Sequence, residues 1–157
     1  MRSYQVFAGM SRAASLAFLR TLEAKAPVTF SQAVAAASLA QKARPAWLQR
    51  QPFETRADAV RRAMSRVASN PVAEELLAVY FLECRRPLLV EWLDLLGLEH
   101  QDGTLAHEAP EPPAPEKLRD AVAKFRTGAD PADRELLLRA FAAQSAIDWP
   151  ELEALLG

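Results

Sequence analysis

The chain has 157 residues, half of them hydrophobic and a quarter charged, with a net charge of −1. That size and balance suit one soluble globular domain with a sizeable core. The lone cysteine, Cys84, excludes an internal disulfide, and no apolar run approaches the roughly 18 to 20 residues of a membrane span.

Ala and Leu dominate, Gly is scarce and β-branched residues are few, which favours helix throughout. The N-terminus does not read as a secretory signal, because Arg12 and Arg20 interrupt its apolar residues. A first helix fits Ser11 to Lys25, with Pro27 stopping it. A second, mostly alanine, fits Phe30 to Ala43 with Thr29 or Ser31 as cap; its small side chains predict a central position. Pro45 and Pro52 bracket a short turn, in which Trp47 and, just beyond, Phe53 are expected to anchor the loop to the core. Thr55 is read as the cap of a helix reaching Ser69, with Val60, Met64 and Val67 inward. Asn70-Pro71 restarts the helix, Asn70 as cap and Pro71 in the first turn. Pro87 breaks it, and Gly97 ends the next helix. Asp102-Gly103 predicts a small β-hairpin over 98–105. The stretch AHEAPEPPAPE reads as a semi-rigid, extended acidic linker. Helices follow over about Glu116 to Thr127, from Asp130-Pro131, and from Asp148 to the end.

The last of these elements repeat earlier ones. Shifted by 60 positions, Asn70–Gly97 lies without a gap on Asp130–Gly157, with nine of 28 positions identical. Composition alone gives roughly two or three such matches. The pairs Leu76/Leu136, Leu77/Leu137 and Phe81/Phe141 are expected to be buried alike. Asp120-Ala121-Val122 echoes Asp58-Ala59-Val60, extending the likeness back one helix. The expected architecture is therefore all-α: one compact bundle of seven or eight helices over 1–157, containing a duplicated helical unit. Its parts are N-terminal helices (1–54), a first repeat (55–97), a loop and Pro-rich linker (98–114) and a second repeat (115–157).

Charge is unevenly spread. Residues 1–70 hold eleven Lys/Arg against three Asp/Glu, and residues 71–157 eight against seventeen, a net +8 and −9. Such polarity speaks of partners or self-association rather than fold. Arg44, Arg50, Arg56, Arg61, Arg62 and Arg66, interleaved with Trp47 and Phe53, form the candidate interaction surface. The segment carries no helix-turn-helix spacing or aromatic RNA motif.

Catalytic candidates are sparse. Cys84 sits beside Arg85 and Arg86, which can activate a thiol, but it also lies four residues after Tyr80 on an apolar face. It is expected to be shielded, with a buried Glu83–Arg86 ion pair shaping the corner. His100 and His107, flanked by acidic residues, do not have helix-face ligand spacing. No catalytic, cofactor-binding or metal-binding residues are assigned. The sequence thus favours a non-enzymatic, cytoplasmic protein-interaction module with a protein partner or self-association, off the membrane. A nucleic-acid-associated protein using the Arg44–Arg66 surface is the second reading. An enzyme with a site near Glu83, Cys84 and His100 is the third.

Overall fold

The computed structural model describes all 157 residues. It is all-α, with ten α-helices and a single two-stranded ribbon. The helices are α1 (Ser3–Gly9), α2 (Arg12–Lys25), α3 (Pro27–Ala40), α4 (Pro45–Gln49), α5 (Phe53–Met64), α6 (Asn70–Val79), α7 (Arg86–Leu96), α8 (Pro115–Arg126), α9 (Pro131–Ala142) and α10 (Pro150–Leu156). Ten exceeds the expected seven or eight; the helices not expected are α1 and α4, each too short to show an apolar period. Two compact units result: residues 3–84, and residues 85–157 together with Met1 and Arg2. The boundary falls between Cys84 and Arg85, inside the 55–97 stretch that the repeat groups together.

In the 3–84 unit, α3 is the hub. It packs on α2, α4, α5 and α6. Its inward positions, Ala33, Val34 and Ala37, are small, so neighbouring helices can come close around them. Phe30 at its start stacks on Phe53 with ring centroids 6.0 Å apart. A second aromatic cluster joins Phe7, Phe18, Tyr80 and Phe81. Several helices start differently from expectation. Helix α3 begins at Pro27, so neither Thr29 nor Ser31 caps it, and α5 begins at Phe53 after Pro52 rather than after Thr55. Helix α5 ends at Met64, and a 3-10 turn over Val67–Ser69 leads directly into α6. Asn70 is therefore already helical and does not cap; its Oδ1 accepts instead from the Tyr4 backbone N–H, 3.1 Å away. Helix α6 then widens into a π-helical turn over Tyr80–Cys84.

In the 85–157 unit, α7, α8, α9 and α10 enclose Trp92, Phe125, Phe141 and Trp149, an aromatic row with centroids 5.3 to 5.9 Å apart. Helix α7 ends in a Schellman motif: Gly97 sits at φ 70°, its N–H bonds to the Asp94 carbonyl, and the Leu98 N–H bonds to the Leu93 carbonyl. The ribbon pairs β1 (His100–Gln101) with β2 (Thr104–Leu105), in the predicted span. Asp102 and Gly103 both have positive φ, as a tight Asp-Gly hairpin turn needs. Residues 106–114 have no regular structure, yet they are held: the Trp149 indole Nε1 donates to the Pro110 carbonyl at 3.0 Å.

The face of α9 differs from expectation. Leu137 and Phe141 are buried, as is Leu138, while Leu136 is only half-buried. The buried stripe is Arg134, Leu137, Leu138 and Phe141, an i, i+3, i+4, i+7 set with an arginine in it. The helix-to-helix breaks differ too. A single residue, Arg85, separates the π-turn from α7, whereas seven residues, 143–149, separate α9 from α10. Proline placement accounts for the later start. Pro87 lies in the first turn of α7, but the residue matching it in the second stretch is Ile147, and Pro150 opens α10 three positions further on.

Candidate interaction surface

The six candidate arginines do not form one surface. Arg56 is half-buried and engaged within the 3–84 unit. It pairs with Glu23 at 2.5 Å, donates Nε to the Gln51 carbonyl at 3.0 Å, and lies over the rings of Phe30 and Phe53. Arg61 leans on Asp58, its Nε 3.5 Å from the carboxylate. Asp58 itself accepts two hydrogen bonds from Arg12, at 3.1 and 2.9 Å, and these hold its carboxyl below the usual carboxylate range. Arg62, in the last turn of α5, and Arg66, just beyond that helix and next to the exposed Val67, are both exposed.

Arg44 and Arg50 belong to a different feature, α4. Lys42, at φ 54°, turns the chain after α3, and Pro45 opens the five-residue helix. Leu48 inserts into the core, fully buried, and Gln49 ties down the far end through its amide, 2.9 and 3.1 Å from the Ser31 carbonyl and hydroxyl. The Trp47 N–H bonds to the Arg44 carbonyl at 3.0 Å and the Arg50 N–H to the Trp47 carbonyl at 3.2 Å. Arg44 flanks the short helix at its start and Arg50 at its end, with Trp47 between them; all three are exposed, whereas Leu48 is buried. Trp47 is 54 % exposed. It does not anchor the loop, a correction to the sequence reading; Leu48 does that, together with the Phe53–Phe30 stack. The sequence signal was its neighbour: only one of two adjacent apolar side chains on a one-turn helix can face inward. The side chains of Lys42, Arg44 and Arg50 have no ion-pair or hydrogen-bond partner.

The catalytic candidates fall elsewhere. Glu83 is exposed and Cys84 is half-buried, at the end of the π-turn, so the thiol is not fully shielded as expected. Arg86 pairs with Asp102 at 2.5 Å across the start of α7 and the hairpin turn, and Arg85 pairs with Asp133. His100, in the other unit from Glu83 and Cys84, accepts from the Gly103 N–H at Nδ1 (3.1 Å) and donates Nε2–H to Asp94 (2.7 Å). That pattern fixes the Nε2–H tautomer and makes the ring a brace of the hairpin. His107 is exposed, 3.8 Å from Glu99. No group of three His, Cys, Asp or Glu side chains is placed to hold a metal ion.

No protein-family model matches the chain, and no curated protein or solved structure matches it significantly. No helix is long and apolar enough to cross a membrane.

Proposed function

We propose that the protein is a non-enzymatic helical interaction module that contacts an acidic partner through the Arg44–Trp47–Arg50 side of α4. One observation carries the reading: a tryptophan 54 % exposed between two arginines that no carboxylate of the chain neutralises. Tryptophan and arginine are the residues most enriched among those that dominate binding energy at protein interfaces. The anchoring of Leu48 and Gln49 supports the reading, since a side held rigid loses little entropy when a partner docks. A cytoplasmic setting goes with it, because the lone cysteine offers no internal disulfide.

The test is affinity capture from the source cell at moderate salt, with nuclease treatment as control. Wild type should retain a partner that Trp47→Ala and Arg44→Glu/Arg50→Glu lose while keeping the wild-type circular dichroism. Capture unchanged by both variants removes α4 as the contact. The second reading, association with nucleic acid, draws on the further exposed arginines Arg62 and Arg66. It requires DNA or RNA binding that weakens steeply with salt. A titration at two salt concentrations, on wild type and on Arg62→Glu/Arg66→Glu, tests it; no binding by wild type at low salt eliminates it.

A further inference from the structure

We infer that the partner of the α4 side is a second copy of this chain, which presents its acidic, proline-rich segment, residues 108–116. The inference rests on the α4 contact proposed above and names its occupant.

Charge is the first argument. Glu108, Glu111 and Glu116 are exposed and have no ion-pair partner in the chain, the same condition as Lys42, Arg44 and Arg50. One molecule thus carries both halves of a charge pair, each unfilled.

Shape is the second. Pro110, Pro112, Pro113 and Pro115 fix φ near −65°, and each residue preceding a proline is pushed to extended backbone. Ala114 shows it, with φ −52° and ψ 142°. Residues 110–114 therefore form a stiff polyproline-like stretch, of the kind that docks on aromatic side chains with little entropy to lose. Its inner edge is already used that way: Pro110 and Pro113 are half-buried, and the Trp149 indole holds the Pro110 carbonyl. Its outer edge, with Glu111 and Pro112, faces solvent. Trp47 is an exposed indole of the kind that edge lacks.

Reach is the third. After the bends over 106–109, residues 110–114 run without a bend, so the chain from Glu111 to Ala114 extends up to about 10 Å. From Arg44 to Arg50, the residues flanking α4, the chain rises about 9 Å at the α-helical spacing. The extended proline stretch is thus about as long as α4 with its flanking arginines, so Pro112 can lie on Trp47 with Glu111 beside a guanidinium. If each copy gives its segment to the other, the assembly closes as a dimer; if the contact runs one way only, it builds a concentration-dependent chain.

Sedimentation velocity on the full chain, over a wide concentration range at low and high salt, tests this. Wild type should self-associate, less so at high salt. Arg44→Glu/Arg50→Glu, Trp47→Ala and Glu108→Arg/Glu111→Arg should each be monomeric with unchanged circular dichroism. Mixing the first and third of these variants should restore association, because their reversed charges again match. A wild type that stays monomeric at low salt overturns the inference, as does association that survives the Glu108/Glu111 reversal. If wild type is monomeric while the Trp47 variant still loses a captured partner, the occupant is wrong and the α4 contact stands. If Trp47→Ala changes neither association nor capture, both fall.

Discussion

Arg134 is the residue where charge and core meet. Its guanidinium grips Glu91 with two hydrogen bonds, 2.8 and 3.0 Å, donates to the carbonyls of Phe125 and Ala129, and lies over the Phe125 ring. All three partner residues belong to the 85–157 unit. Gly128 makes room for it, since a β-carbon there would overlap the guanidinium. Glu91→Ala should therefore destabilise the protein by about 1 to 3 kcal/mol, less than for a fully buried pair because Glu91 is 44 % exposed. Arg134→Met, which removes the charge along with its partner's role, should cost less than Glu91→Ala; urea unfolding measures both. The place of Arg134 on the inward stripe with Leu137, Leu138 and Phe141 becomes visible only with the observed rotation of α9. Asp58 gives a pH signature. Its folded pKa lies below the unfolded one because Arg12 hydrogen-bonds the carboxylate. The Arg12–Asp58 pair should then contribute fully above the ordinary carboxylate range and fade as pH falls through the lowered folded value. The stability difference between wild type and Asp58→Asn should accordingly be constant near neutrality and shrink in acid.

At the scale of elements, the sequence spoke clearly wherever a single residue type dictates backbone geometry. Gly97 ends α7, Asp102-Gly103 turns the ribbon, and prolines open α6, α7, α9 and α10. It spoke poorly where two side chains compete for one inward position. Leu48 rather than the expected Trp47 turns inward, and Leu136 is only half-buried while Leu138 is buried. A helix of five residues has too few positions for an apolar period, and a helix with Ala and Leu on most sides has more than one. The rotation of α9 makes a direct test. Leu138→Ala should cost about 2 to 5 kcal/mol, and Leu136→Ala distinctly less, by urea unfolding. Phe81→Ala and Phe141→Ala should each cost about 3 to 5 kcal/mol, because both rings are buried among other aromatics. Equal costs at Leu136 and Leu138 would contradict the burial that the stripe assigns.

For the whole molecule, composition alone indicated helix, and the ten helices bear that out. The division into units was not legible. Sequence repeats group residues by likeness, whereas units group them by packing, and here the two groupings cut the 55–97 stretch differently. Drawn at the unit boundary, the charge polarity softens: residues 3–84 carry ten basic against six acidic groups, and the remainder nine against fourteen. The distribution of the three tryptophans has its own consequence. Trp47 is the sole indole of the 3–84 unit and is open to water; Trp92 and Trp149 lie buried in the other. Emission from a solvated indole is already red-shifted and barely moves on unfolding, while a buried one shifts from blue to red. The emission maximum in a urea series should therefore follow the 85–157 unit alone, with circular dichroism reporting on both. Iodide, drawn to Arg44 and Arg50, should quench the red component first and leave the blue one untouched, so that one unlabelled sample reads the two units in two colours.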